Sequence, residues 1–219
     1  MKDNLERLNR SVYGPKIRNK FFPDAIFISD LDKMVTKGKY KNSFPEGAII
    51  HYTAGWRKES GREALSSEKK YCYFFIDLDG NVFQQFEISE WGSHAGLSFC
   101  PVTKRDWVSQ FYVGIEIACG GLTSVDSDGF YRTWFNKRVT DINLVRVKDG
   151  YKNSGVFERF TRAQEYALFN LSVWLCKNGS DPRLFFGHDE VSEGRKFDPG
   201  GSLSMNMNNF RRELKQRVR

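Results

Sequence analysis

The sequence predicts a mixed α/β fold, of the α+β kind, with a central mixed β-sheet flanked by helices. Several short apolar runs, rich in β-branched and aromatic residues, are bounded by turn-forming residues, which is typical of strands. One longer segment, Thr161–Cys176, instead carries apolar residues at helical spacing. Because strands and helices do not alternate regularly along the chain, a mixed sheet with helices beside it is favoured.

Four segments have the composition of strands. The run GAIIHYT predicts a strand over Gly47–Thr53, and YCYFFID predicts a second over Tyr71–Asp77. The turn-forming residues that follow Asp77 indicate a hairpin whose return strand covers Val82–Phe86. The run FYVGIEIA predicts a further strand over Phe111–Ala118.

Three segments predict helices. The clearest begins at Thr161, a suitable N-cap, and Gln164 three residues later completes the pattern of a capping box. A shorter helix is expected over Glu63–Lys70, and a last one over Met207–Val218.

The chain length of 219 residues fits one substantial domain. Residues 1–45 are polar and interrupted by prolines, and we interpret them as an N-terminal extension packed on the domain. Residues 46–219 then form the domain itself. The turn-rich residues 120–157 are interpreted as an insertion, with a small hairpin between Gly129–Phe135 and Asn143–Val147.

The formal net charge of +7 favours an anionic partner, which could be nucleic acid, an acidic membrane or the acidic polymers of a bacterial envelope. No stacking or basic-groove motif supports nucleic acid. No apolar stretch approaches about 18 residues, so no membrane span is expected. A charged start followed by an apolar run is also missing, so we expect synthesis in the cytoplasm without a signal peptide. The basic C-terminal end is interpreted as the solvated face of a helix.

The cysteines do not indicate a structural metal site or a disulfide framework. The chain has four of them, and no two form a CxxC pair. Their scattered positions are typical of buried thiols in a reducing compartment. They are Cys72, Cys100, Cys119 and Cys176.

The three histidines and one aspartate have the residue types of a catalytic zinc site. Two imidazoles and one carboxylate commonly hold zinc and leave a fourth position for water. His51 ends an apolar strand, while His188 and Asp198 are joined by a glycine-bearing loop that could fold both onto one ion. His94 lies between glycines in a separate segment. Spacing alone leaves open that each histidine is an ordinary core residue.

Six sequence motifs, taken in their order along the chain, resemble those of the type-2 family of N-acetylmuramoyl-L-alanine amidases. This family includes phage lysozyme-amidases, cytoplasmic amidases that recycle muropeptides, and peptidoglycan recognition proteins. The resemblance covers about residues 45–215, and the last motif, with its GRKxDPG pattern, is the most specific. The motifs are GAIIHYTAG, YFFIDLDGNVFQ, WGSHAGLS, VGIEIACGG, FTRAQEYAL and GHDEVSEGRKFDPGG.

The resemblance implies a zinc-dependent hydrolase that cuts the amide between N-acetylmuramic acid and L-alanine of peptidoglycan. It implies that Zn²⁺ is bound by His51, His188 and Asp198. It also implies that Glu116 acts as the general base and that Lys196 stabilises the oxyanion. For His94 it implies contact with substrate or support of the site, and Thr53 is expected to line the same strand face as His51. These seven residues are the candidate site residues.

One position departs from the family pattern, because Cys72 stands where several relatives have a tyrosine that points at the zinc. A mechanism with Glu116 and Lys196 is therefore favoured over a tyrosine-assisted one. Two settings remain open: a wall-lytic enzyme such as an endolysin, released after synthesis, or a cytoplasmic enzyme that recycles muropeptides. The alternative to an enzyme is a non-catalytic module that binds peptidoglycan without cutting it. A monomer is expected.

Overall fold

The computed structural model describes residues 21–28, 36–57, 73–147 and 151–219. The predicted helix over Glu63–Lys70 and the residues Tyr71 and Cys72 lie outside these ranges. The described strands are β1 (Ala25–Phe27), β2 (Gly38–Lys39), β3 (Gly47–Tyr52), β4 (Phe74–Ile76), β5 (Val82–Gln84), β6 (Glu90–Trp91), β7 (Phe99–Cys100), β8 (Arg105–Asp106), β9 (Tyr112–Ile117), β10 (Ser124–Val125), β11 (Tyr131–Arg132), β12 (Leu144–Val147), β13 (Gly155–Glu158) and β14 (Phe185–Gly187). The described α-helices are α1 (Arg162–Lys177), α2 (His188–Val191) and α3 (Met207–Arg217).

A six-stranded mixed sheet forms the centre of the domain. Its strand order is β1-β5-β4-β9-β3-β14. The β4–β5 pair is antiparallel, whereas β4, β9, β3 and β14 run parallel to one another. The predicted fold class, with its central mixed sheet, is therefore confirmed, and so is the hairpin of β4 and β5.

The two faces of the sheet are covered differently. Residues along a strand point alternately to the two faces, so His51 in β3 points away from its neighbours Ile50 and Tyr52. Ile50, Ile115 and Phe74 belong to the main apolar core, which also contains Leu168 of α1 and Phe210 of α3. His51 therefore lies on the sheet face opposite these two helices.

The helices have the ends that the sequence indicates. Thr161 accepts a hydrogen bond from the Gln164 N–H, and the Gln164 side chain accepts one from the Thr161 N–H, which is a complete capping box. Helix α3 is capped by Asn206 and ends at Arg217, one residue before the predicted end. The two helices meet where the rings of Phe169 and Phe210 lie 4.6 Å apart between centroids.

The hairpin predicted within the insertion is wrong in its pairing. Tyr131–Arg132 pairs with the preceding Ser124–Val125, and Leu144–Val147 pairs with the following Gly155–Glu158. The reason is local, because Gly129 adopts φ +80 and donates to the Asp126 carbonyl, which closes a tight turn before Tyr131. Strand β11 thus pairs with β10, and β12 pairs with β13, so β11 and β12 do not pair with each other.

Parts of the predicted N-terminal extension contribute to the sheet and core. Strand β1 pairs with β5 at one edge of the sheet, and Phe22, Tyr40 and Phe44 are buried. The boundary between an extension and a domain near residue 45 stays a prediction. Among the residues that the structure describes, no helix has the length and apolar character needed to cross a membrane.

Candidate metal centre

The site lies at the carboxyl edge of the parallel strands. His51 is the second-last residue of β3, and His188 begins α2 directly after β14. Asp198 follows in the loop after α2, and its carbonyl accepts a hydrogen bond from the Asp189 N–H. All three predicted ligands are buried, with exposed fractions of 2%, 3% and 7% for His51, His188 and Asp198.

The side-chain atoms of these three residues form a small triangle. The Nδ1 atoms of His51 and His188 lie 3.0 Å apart. Asp198 Oδ2 lies 3.0 Å from His51 Nδ1 and 2.9 Å from His188 Nδ1. The structure therefore brings together residues that are distant in sequence.

The imidazoles of His51 and His188 each carry their hydrogen on Nε2, the ring nitrogen that points away from the triangle. His188 Nε2 lies 3.0 Å from the Ala95 carbonyl, which can only accept, so this nitrogen carries the hydrogen. His94 Nε2 likewise donates to the Tyr112 carbonyl at 2.9 Å. The Nδ1 of a neutral His94 is then an acceptor, and His51 Nε2 donates to it at 3.1 Å.

Three lone pairs consequently face one another in a buried space. With neutral rings, His51 Nδ1, His188 Nδ1 and Asp198 Oδ2 are all acceptors, and a shared cation would satisfy all three. Two imidazoles and a carboxylate are a donor set that suits zinc, and ligand histidines usually donate their other N–H to a carbonyl or similar acceptor. The residues present fit a bound metal ion, and these three are the group that could hold it.

The electrostatics of the metal-free site favour a neutral His51 ring beside a charged Asp198 carboxylate. Burial lowers the pKa of His51 to about 4, and the positive charges of His188 and Lys196 act in the same direction. Burial alone would raise the pKa of Asp198, but the adjacent imidazoles of His188 and His51 hold it well below its ordinary value. Both residues therefore offer unprotonated ligand atoms at neutral pH.

The metal-free protein is expected to lose stability as the pH falls from about 6.5 to about 4. In this window the unfolded chain protonates His51 and the folded protein does not, so the free energy of unfolding decreases by roughly 3 kcal/mol at most. Asp198, whose pKa is lowered, adds a further loss at still lower pH. Thermal melting of chelator-treated protein across this range measures the effect, with His51→Gln as the control. An equal slope in both proteins would contradict this account.

Glu116 lies beside His51 in the sheet. The two residues are direct partners in the parallel pairing of β9 with β3. Neighbouring strands are about 4.8 Å apart, so the two side chains leave the same face at close range. Glu116 is 5% exposed, which places a buried carboxyl group next to a predicted ligand.

Lys196 belongs to the loop that leads to Asp198. Its N–H donates to the Ser192 carbonyl at 3.1 Å, and its carbonyl accepts from Asn153 Nδ2 at 3.3 Å. The side chain is half-buried, and its charge is close enough to lower the pKa of His51. The loop thus brings a cation near the triangle, and stabilisation of an oxyanion by Lys196 stays a prediction.

The two predicted substrate-binding residues lie in different surroundings. His94 is 4% exposed and bridges His51 and the Tyr112 carbonyl, so it supports a predicted ligand from behind. The Thr53 hydroxyl donates to the Gly55 carbonyl at 2.6 Å and accepts from the Cys119 N–H at 3.3 Å. Thr53 therefore connects the segments that leave β3 and β9, and a contact between Thr53 and substrate stays a prediction.

A comparison with protein families agrees with this geometry. The family model described as N-acetylmuramoyl-L-alanine amidase matches residues 41–201, which includes every candidate site residue. The chain belongs to this amidase family. Membership supports amide hydrolysis on peptidoglycan, as the resemblance of the motifs implied.

Solved structures of amidases share the fold of this family member. An AmpD derivative has a TM-score of 0.57 at 15% identity, with 90% of this chain and 98% of that chain covered. AmiD from E. coli, in complex with anhydro-N-acetylmuramic acid-L-Ala-D-gamma-Glu-L-Lys, has a TM-score of 0.55 at 19% identity, with 83% and 61% covered. The endolysin LysCS from Clostridium intestinale has a TM-score of 0.52 at 15% identity, with 90% and 99% covered. No curated protein sequence matches the chain.

Several supports of this amidase site were not predicted from the sequence. Ser109 Oγ accepts hydrogen bonds from the N–H groups of His94 and Ala95, at 3.1 and 3.0 Å. It thereby holds the His94 ring against His51 and the Ala95 carbonyl against His188. Arg211 of α3 forms a two-point ion pair with Glu190, at 2.7 and 2.9 Å, which anchors α2. No local sequence signal links these residues. Arg211 belongs to the basic C-terminal end, which composition alone indicates to be a solvated helix face, and its pairing with Glu190 corrects that interpretation for this residue.

Substitution of His94 tests whether this residue supports the predicted ligand His51 or contacts the substrate. We expect His94→Ala to weaken zinc binding by about 10- to 100-fold, because His51 Nε2 loses its acceptor. His94→Gln offers a side-chain carbonyl there and should recover part of the affinity. Competition with a chromophoric chelator measures both variants. Unchanged zinc affinity combined with a raised KM would instead assign His94 to substrate binding.

Proposed function

We propose that the protein is a zinc-dependent N-acetylmuramoyl-L-alanine amidase that hydrolyses the amide between the lactyl group of N-acetylmuramic acid and L-alanine. The observation that carries this proposal is the buried triangle of two imidazole Nδ1 atoms and one carboxylate oxygen. Family membership supports the bond that is cut. The triangle supports the use of a metal, because a bound cation would satisfy its three lone pairs at once.

The chain supplies two further groups that suit this reaction. A zinc ion bound by His51, His188 and Asp198 would supply Lewis acidity, which polarises a carbonyl and makes water more acidic. Glu116 accepts the proton of the attacking water and passes it to the leaving amine of L-alanine. The ammonium group of Lys196 stabilises the negative charge that develops on the carbonyl oxygen.

Within this proposal, a wall-lytic setting is favoured over muropeptide recycling. The net charge of +7 suits an enzyme that works on the polyanionic bacterial envelope. Clearing of intact sacculi, compared with turnover of a soluble anhydro-muropeptide, separates the two settings. Turnover of the soluble substrate alone would assign the protein to recycling.

The proposed reaction is tested by mass spectrometry of digested muropeptides. We expect free stem peptides that begin with an L-alanine amine, formed by the wild type and lost after treatment with a chelator. Restored product after addition of Zn²⁺ would show that the metal, and not damage to the fold, explains the loss. Product that persists after complete metal removal would refute zinc dependence, and a different new terminus would refute the bond assignment.

A further inference from the structure

The insertion carries an aromatic turn that the fold itself does not explain. Trp134 and Phe135 occupy the central positions of a turn in which the Asn136 N–H donates to the Thr133 carbonyl at 3.0 Å. Such positions usually hold glycine, proline, asparagine or aspartate. Trp134 is nevertheless 74% exposed, so its ring gains little from packing in the core.

The orientation of the exposed ring is fixed. Trp134 Nε1 donates to the Ala54 carbonyl at 2.5 Å, and the ring meets Phe135 edge to face, with centroids 5.7 Å apart. Phe135 meets Trp56 in the same way at 5.4 Å, and Trp56 Nε1 donates to Glu158 Oε2 at 2.9 Å. The indole of Trp134 is thus a rigid apolar plate whose polar edge is already satisfied, and rigid surfaces bind with a smaller loss of conformational entropy.

This aromatic turn lies close to the metal centre. Ala54, to which Trp134 is bonded, is three residues from His51, a stretch of chain that spans at most about 10 Å.

We propose that the exposed indole face of Trp134 forms a subsite for a saccharide residue of the glycan chain, next to the muramyl residue whose amide is cut. The apolar C–H face of a pyranose ring packs on an indole face, while its hydroxyl and acetamido groups remain hydrated. The inference rests on the proposed function, since it deepens the substrate class from a muramyl peptide to a peptide-bearing glycan.

The subsite is tested by binding of a trisaccharide of N-acetylglucosamine, measured by calorimetry. We expect binding by the wild type and about tenfold weaker binding by Trp134→Ala, with most of the affinity kept in Trp134→Phe. The matched control is Tyr166→Ala, because Tyr166 is also highly exposed, at 67%, but belongs to α1 on the other side of the sheet. Thermal melting establishes that each variant is folded.

Kinetics with two substrates complete the test. Trp134→Ala should raise KM for glycan-linked peptide and leave turnover of N-acetylmuramoyl-L-alanine, which has a single sugar, unchanged. The subsite is refuted if folded Trp134→Ala binds the trisaccharide as the wild type does, or if the wild type does not bind it. Failure of the proposed function looks different, because the wild type would then bind the trisaccharide and release no L-alanine from either substrate.

Discussion

Replacing His188 with alanine is expected to remove zinc and to reduce amide hydrolysis at least about 1000-fold. His188 Nδ1 is one corner of the triangle and lies within 3.0 Å of both other ligand atoms. Two remaining ligands do not close a catalytic zinc site, which requires three protein ligands in its usual form. Metal content after dialysis and the initial rate of L-alanine release measure the two effects.

The neighbouring Asp189 offers a matched control for this experiment. Asp189 is as deeply buried as the ligands, at 5% exposure, but its carboxylate is not part of the triangle. Burial and the charges of Glu190 and Asp198 raise the pKa of Asp189 to about 8. Asp189→Asn keeps the shape of this side chain and leaves the three ligands in place, so it should keep bound zinc and activity. Asp198→Asn should lose both. Equal zinc content in the two asparagine variants would contradict the assignment of Asp198 as a ligand.

Glu116→Gln is expected to lower kcat by about 10²- to 10⁴-fold while zinc remains bound. The amide keeps the shape of the side chain beside His51 but does not accept the proton of the attacking water. Steady-state rates together with metal analysis separate the loss of a base from the loss of a ligand. The pH profile of kcat/KM should also lose its lower limb, since that limb would report ionisation of the base.

Glu193→Gln is the matched control for this second variant. Glu193 lies in the loop before Lys196 and forms an exposed ion pair with Lys152 at 2.7 Å, so it has no contact with the triangle. Its activity should be within about twofold of the wild type, since exposed ion pairs contribute little. A Glu116→Gln variant that is equally active would show that another group accepts the proton.

The secondary structure around the site follows from short-range sequence signals. The apolar runs that contain His51 and Glu116 were predicted as strands, and they form β3 and β9 within one residue at each end. Thr161 and Gln164 likewise indicated the start of α1, because a capping box is made by residues only three apart. In each case the decisive interactions are local or depend on the alternation of apolar residues.

Contacts between residues distant in sequence could be predicted much less well than the secondary structure. The insertion was predicted as one hairpin, and only the structure shows that Tyr131 and Leu144 pair with different neighbours. The position of His94 behind His51 depends on Ser109, which lies 15 residues from His94 and carries no motif. Composition and spacing left the ligand set open, and it was specified only through the resemblance of ordered motifs, whose spacing reflects a shared fold.

The direct pairing of His51 with Glu116 has a consequence for how such an enzyme can change. Their separation is set by backbone hydrogen bonds between β3 and β9, whereas the insertion that carries Trp134 joins the domain beyond the end of β9. Changes confined to the turn that carries Trp134 therefore leave the spacing of His51 and Glu116 unaltered. Changes in β12 or β13 would instead reach the loop of Asp198, because Val147 and Phe157 pack closely on Gly200 and Gly201. We therefore expect a library confined to Thr133–Asn136 to change the preference for glycan while His51 and Glu116 keep their spacing.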